Sequence, residues 1–530
     1  MSASREKRLR KEAQTGGPNL SAKKKQERQD AFRRAVAITV SAVVLFALVI
    51  LIVSGSGIMQ ANMKALTIGD VPISGAEFDF HYFRQFYETY SMYEMYGMLE
   101  YLGLDPNRPF NRQSAFGGDE TWAEYFEDEA VQALTVIVAQ SEAAKREGIA
   151  LTQEDLANID DAVAAIEASA AQNGLKPDRL LRDSYGRGIT LDSYRAILER
   201  AVLSDRYVTA TLASYDRSDA ELESYYEDNR ERYDYIDYHT FKIGGFPPEP
   251  SESEEGYTDE ELESYRAAQR ERADEMLSRV TVSESFWALS REYTEEGDNS
   301  DDGDGGDDDS NDSDDDDDHD HEDETDGTLV EKYAVSSLGE TTTAEFLLAD
   351  GRKAGDKAVV EDGDDFIVLL FLKRYRDEEK TCDVRHLLVP FDDYGSAEEA
   401  EARAEELLRQ WKEGAANEAY FAELANEFST DGGSNTNGGL YENLNSSTSF
   451  VEPFKEWYLD PARRPGDTGI VETEYGYHIM FFSGQNDPVW KVNVRSAMDN
   501  EQYQEHREGL TEGLAYKRHW FGMVFTKSRT

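Results

Sequence analysis

Residues 345–371 read EFLLADGRKAGDKAVVEDGDDFIVLLF, and residues 456–482 read EWYLDPARRPGDTGIVETEYGYHIMFF. Set side by side without gaps, they agree at eight of twenty-seven positions, including the turns Gly355-Asp356 and Gly466-Asp467. An earlier pair, FWALSREYTEEG from Phe286 and FAELANEFSTDG from Phe421, agrees at four of twelve. The segment Tyr238–Ile243 parallels Val384–Val389 in the same order. Matches that recur in one order along the chain mark two tandem copies of one domain. The offset between copies falls from 135 residues in the earlier pair to 111 in the later one. The first copy therefore carries about 24 extra residues between these segments, where the tract DNSDDGDGGDDDSNDSDDDDDHDHEDETD lies.

The second copy reads as a small α+β domain. Asp383 to Val389 alternates like a strand, and Ser396 with Glu399 opens a helix whose apolar face is Ala400, Ala404, Leu407, Leu408 and Trp411. A second helix over about 418–428 runs into the loop STDGGSNTNGG. A short helix near 450–458 and two strands, 469–472 and 477–483, close an antiparallel sheet.

The segments VRHLLV, FAELANEFSTD, NGG, VEPF, PGDTG and YGYHIMFF resemble the parvulin-type peptidyl-prolyl isomerases over about residues 381–484. The wider layout resembles the bacterial extracytoplasmic foldases of the PrsA and SurA type. The resemblance implies that His386 and His478 sit on adjacent central strands, with Thr473 supporting the pair and Asp431 facing the reacting peptide bond. It places Leu440, Phe450 and Phe454 at the apolar pocket for the proline ring, and it implies no cofactor. Two departures bear on pocket shape. The usual GGDLG is GGLYENL here, and the usual Gln-Met is Ser449-Phe450. The loop Pro390-Phe391-Asp392-Asp393-Tyr394-Gly395 has two acids and no base, so phosphate before the proline should be repelled. In the first copy Thr240 stands for His386, Ile367 for His478 and Asp362 for Thr473, with Glu296 near Asp431. That copy is expected to be degenerate and catalytically silent.

The rest of the chain fits around these copies. Of the net charge of −54, residues 1–34 contribute +7, residues 296–327 contribute −19 and the remainder −42. This acidity argues against nucleic-acid binding, which needs clustered bases to replace counterions. The single cysteine, Cys382, excludes an internal disulfide and a thiolate metal site. Residues 35–53 form an uncharged apolar run after a basic flank, as a signal anchor does; the N-terminus is then cytoplasmic and the rest outside the cell membrane.

The expected architecture is multidomain. A basic tail (1–34) and a transmembrane anchor (35–53) lead into an all-α chaperone-like module (62–233). A degenerate parvulin-like domain (236–378) follows, with a disordered acidic insertion at 297–327 and a weak attraction for calcium there. The parvulin-like isomerase domain (381–484) and a closing strand and helix packed on the helical module (485–530) complete it. Leu66 to Ile73 reads as a hairpin, and the aromatics from Phe78 to Tyr93 spread round more than one helix face, either as core or as an exposed surface for unfolded chains. The function implied is an anchored, phosphate-independent isomerase and foldase acting on unfolded exported polypeptides. The alternative is a non-catalytic holdase or scaffold.

Overall fold

The structure, a computed structural model, describes residues 56–247, 257–298 and 328–527, with the isolated Lys7. The expected anchor at 35–53, and all of the acidic insertion beyond Asp298 up to residue 327, lie outside the described residues. Among the described residues, no helix is long and apolar enough to cross a membrane. The strands in chain order are β1 (Lys64–Ile68), β2 (Val71–Ser74), β3 (Asp234–Ile243), β4 (Leu329–Ala334), β5 (Lys357–Asp362) and β6 (Asp365–Arg376). They continue with β7 (Lys380–Pro390), β8 (Leu440–Leu444), β9 (Thr468–Thr473), β10 (Gly476–Pro488) and β11 (Tyr516–Arg518). The chain divides into two units, 1–216 with 499–530 and 217–498.

In the first unit, β1 and β2 pair across the turn Gly69-Asp70, with Gly69 at φ +55°. Ser74 ends β2 and caps the helix Gly75–Met95 by accepting a hydrogen bond from the Glu77 amide at 3.1 Å. The aromatics of this helix serve two cores, which explains their spread round it. Phe78, Phe83 and Phe86 pack with Trp122, Phe126 and Leu134 of the helix Trp122–Glu147, while Phe80 packs against Leu181, Ile189 and Ile197. Tyr87, Tyr90 and Tyr93 are partly buried at the edge of the first core. The module is not purely helical, because β11 pairs antiparallel with β1 to give the order β11-β1-β2.

The second unit holds two four-stranded antiparallel sheets, in the orders β4-β3-β6-β5 and β8-β7-β10-β9. Counted within each copy, both read second, first, fourth, third. Registers agree as well. Thr240 pairs with Leu369 as His386 pairs with Met480, and Val360 pairs with Ile367 as Val471 pairs with His478. Each copy lays two helices on one face and a short helix on the other. In the second copy, Ala397–Glu413 and Glu418–Phe428 bury Trp411, Phe421 and Leu424 against Leu387, Ile479 and Phe481. The helix Glu452–Leu459 covers the opposite face with Phe454, Trp457 and Tyr458.

Phe286 and Phe421 occupy matching places and are fully buried, at 0% and 2% exposure. Truncating either to Ala leaves a ring-sized cavity and should cost its own sheet about 3–5 kcal/mol. Native-state hydrogen exchange is the measurement. Phe286→Ala should lower protection mainly at β6 amides, and Phe421→Ala mainly at β10 amides.

Candidate active site

The two central strands of the second sheet bring the histidines together. His386 on β7 lies opposite Met480, and His478 on β10 lies opposite Leu388. The two are therefore diagonal neighbours on one face, within reach of each other's rings. Their rings lie 5.3 Å apart at 21°, and the two Nδ1 atoms are 3.1 Å apart. Both side chains are buried.

Satisfying every partner fixes the direction of the hydrogen bonds. The Asp431 carboxylate, at 2.9 Å from His386 Nε2, can only accept, so that nitrogen carries a proton. In a neutral ring Nδ1 of His386 is then bare and accepts from His478 Nδ1–H. That leaves His478 Nε2 as acceptor for the Thr473 hydroxyl, 2.8 Å away. Thr473 Oγ1 in turn accepts from the Tyr475 amide at 3.2 Å. The result is a one-way chain, Thr473 to His478 to His386 to Asp431, with one net charge at its end.

Local structure holds each member. Just past the helix Glu418–Phe428, Ser429 accepts from the Leu388 amide at 3.1 Å and the Thr430 amide donates to the Leu388 carbonyl at 3.2 Å. These bonds fix Asp431 beside the end of β7. Asp431 Oδ2 also accepts from the hydroxyls of Ser434 and, at 3.0 Å, Tyr441. Gly439 lets β8 approach. It sits at φ +72°, the His386 amide donates to its carbonyl at 2.8 Å, and a Cβ there would lie 2.0 Å from the His386 carbonyl oxygen.

An apolar wall completes the site. The Phe454 ring lies 5.3 Å from each histidine ring, edge-on to both, and Phe450 stacks on Phe454 at 4.7 Å. Tyr441 closes the other side, 5.0 Å from Phe450 and 5.4 Å from His386. The expectation for Leu440 needs correction. Leu440 pairs with Arg385 and Tyr441 with Val384, so alternation along β8 turns Leu440 to the face opposite the histidines. Tyr441 takes its place. Sequence reasoning also missed Ser434, which is fully buried against Asp431 and His386. Strand alternation alone would have found Tyr441, whereas Ser434 in a Gly/Ser/Asn loop carries no such signal.

In the first copy the equivalent face is apolar. Ile367 is buried among Ile236, Leu369 and Phe371, and Thr240 is half-buried. His239, next in sequence to Thr240, turns to the helix-covered face, where its ring stacks on Phe286 at 5.0 Å.

Burial is the main cause that lowers His478 to about 4, and the Asp431 charge opposes it only in part. The hydrogen bond from His386 holds the Asp431 carboxyl well below the usual carboxylate range, against the opposing effect of burial. Burial and the Asp431 charge push the Tyr441 phenol up, which keeps it a donor.

A helix-flanked antiparallel sheet with a buried histidine pair between a carboxylate and an aromatic wall is a parvulin-like domain. Residues 368–485, which include all four polar members, match the family model described as the PPIC-type PPIASE domain. Foldase protein PrsA 1 of Listeria innocua serovar 6a is 35% identical over 144 residues, 26% of this chain and 44% of that protein. Chaperone SurA of Alcanivorax borkumensis is 30% identical over 152 residues, 28% of this chain and 34% of that one. The chain thus spans less than half the length of these relatives. Among solved structures, the peptidylprolyl isomerase PrsA of Bacillus anthracis is 22% identical, with 26% of this chain and 58% of that chain covered at a TM-score of 0.18. Foldase protein PrsA of Streptococcus pneumoniae is 13% identical, with 78% and 97% covered at a TM-score of 0.20.

Two outcomes follow from the geometry. Gly439→Ala should distort β7 at His386 and cost several kcal/mol, whereas Gly432→Ala, with nothing within 4 Å of the added carbon, should be nearly neutral. Thermal unfolding of the two variants compares them directly. The second concerns pH. His478 is lowered in the folded state, so between about pH 6.5 and pH 4 the unfolded chain binds a proton that the folded one does not. Stability should therefore fall as pH drops through that window, by about 3 kcal/mol at most from this group. Denaturant titrations should show a shallower decline in His478→Gln.

Proposed function

We propose that residues 381–484 catalyse cis–trans isomerisation of X-Pro bonds, and that the chain is a membrane-anchored foldase for unfolded exported polypeptides. The observation that carries this is the ordered chain from Thr473 to Asp431 lying directly against the wall of Phe450, Phe454 and Tyr441. Uncatalysed isomerisation crosses a barrier of about 18–20 kcal/mol set by amide resonance. In the twisted transition state that resonance is lost, and with it the charge separation of the planar amide. A dry apolar surface favours that state over the planar ones.

In this reading the aromatic wall receives the proline ring, and the histidines act as an orienting pair. The one-way hydrogen bonds leave neither ring free to shuttle a proton, and no covalent step is required. Asp431 has its Oδ2 occupied by three donors, so its charge fixes the polarity of the site beside the substrate carbonyl. The loop at 390–395 exposes Asp392 and Asp393, which supports phosphate-independent recognition. The apolar run at 35–53 supports anchoring. In the first unit, Met92, Met95, Tyr96, Met98 and Tyr101 are exposed, a soft and adaptable surface suited to holding unfolded segments.

A proline-peptide isomerisation assay tests the central claim. His478→Ala with Asp431→Ala should lower kcat/KM by about tenfold or more, since each factor of ten is about 1.4 kcal/mol of lost transition-state stabilisation. Equal rates for wild type and double variant would leave only the holdase reading. Phosphorylating the residue before proline should slow turnover, and faster turnover would refute the loop argument.

A further inference from the structure

In a chain of net charge −54, residues 516–530 read YKRHWFGMVFTKSRT, with Lys517, Arg518, Lys527 and Arg529 and no acid. The described part of this segment exposes large apolar groups: Trp520 at 77%, Val524 at 56% and Phe521 at 49%. These side chains do not belong to a frayed end. The His519 amide donates to the Ala65 carbonyl at 2.9 Å, and Thr67 Oγ1 lies 2.7 Å from His519 Nε2. Gly522 packs on the Lys64 carbonyl so closely that a Cβ would lie 2.0 Å from its oxygen. Gln60 Nε2 donates to the Phe525 carbonyl at 2.9 Å, and the Lys527 amide to Asp79 Oδ1 at 2.6 Å. The backbone is pinned, so the aromatic side chains are held out in solvent.

The same bonds tie this segment to the start of the described chain. Gln60 lies in the helix Ile58–Asn62, whose Ile58 is 55% exposed. The apolar run ends at Val53, and five residues reach about 17 Å at most. A bilayer holding that run therefore comes within reach of the Trp520 turn. Nearby, Lys64 and Lys517 are exposed and make no ion pair among the described residues, while Arg518 engages Asp128 and Glu127 and Lys527 engages Glu127.

We propose that the turn around Trp520, Phe521 and Val524, with Lys64 and Lys517, seats on the surface of an anionic bilayer beside the anchor. Trp and Phe enter the headgroup boundary and the lysines meet lipid phosphates, as interfacial segments do. The inference rests on the anchored reading of residues 35–53.

The test uses the full chain in vesicles of phosphatidylglycerol and phosphatidylcholine, with an environment-sensitive fluorophore on Phe521→Cys. Cys382 does not compete for the label, because it is buried and its thiol is pushed up to about 12. Lipids brominated near the top of the acyl chain should quench the 521 label about twofold or more, as expected for a group at the headgroup boundary. A label on Leu175→Cys should stay unquenched. Adding Trp520→Ser, Val524→Ser, Lys64→Glu and Lys517→Glu should abolish the quenching while the chain still floats with the vesicles. A floating chain whose 521 label behaves like the 175 label overturns this proposal alone. Failure to float overturns the anchor and this proposal together. Equal quenching in pure phosphatidylcholine overturns the anionic preference, and cross-linking between copies through position 521, without quenching, assigns the surface to a second chain instead.

Discussion

Two imidazole nitrogens held 3.1 Å apart can share one proton and no more. That constraint organises the second sheet. Both rings must lie on one face, on adjacent antiparallel strands, two positions out of direct opposition. A one-residue slip of β10 against β7 would send His478 to the helix-covered face. Burial removes water as an alternative partner, so each remaining nitrogen needs a protein group, which Thr473 and Asp431 supply. The glycine at 439, the bonds from Ser429 and Thr430, and the hydroxyls of Ser434 and Tyr441 all follow from holding that chain in place.

The first copy shows that the framework stands without the site. It keeps strand order, register and the helices on both faces, yet its counterparts of the two histidines are Thr240 and Ile367. Replacing a buried polar pair by apolar groups of similar size is close to neutral for stability, since no partner is left unsatisfied. Ile367 simply joins the cluster of Ile236, Leu369 and Phe371. The fold therefore places no pressure on the polar members, and only the chemistry of the site does. In the same way an insertion after residue 298 falls where the second copy needs its Asp431 loop, a segment the first copy has no use for.

Periodicity alone makes the helices and the core legible in the sequence. Ala400, Ala404, Leu407, Leu408 and Trp411 repeat at helical spacing and are all buried. The diagonal histidines are legible only through resemblance, since neither strand by itself distinguishes a catalytic histidine from a structural one. Leu440 misleads for a specific reason. Its residue type suits an apolar pocket, while the strand's alternation puts Tyr441 on that face. A closing strand is expected only through resemblance, because the three residues of β11 give no alternating pattern and its partner β1 lies some 450 residues earlier in the chain. The aromatic helix is ambiguous because it faces two cores, and a pattern covering two faces looks the same whether the second is buried or wet.

Charge also bears on the proposed anchoring. Outside residues 1–34 and 296–327 the chain still carries −42, so under the proposed anchoring an anionic bilayer would repel most of its surface. At physiological ionic strength that repulsion decays over about 8 Å, which permits close approach only where acids are absent or neutralised. Residues 516–530 themselves hold no acid, and behind them Arg518 pairs with Glu127 and Asp128 while Lys527 pairs with Glu127. In the candidate site Asp431 carries the charge of the hydrogen-bonded chain, and its Oδ2 is satisfied by three donors. Under the proposed function, a proline segment at that site would meet the aromatic wall of Phe450, Phe454 and Tyr441 rather than an unpaired carboxylate, which favours an apolar ring there.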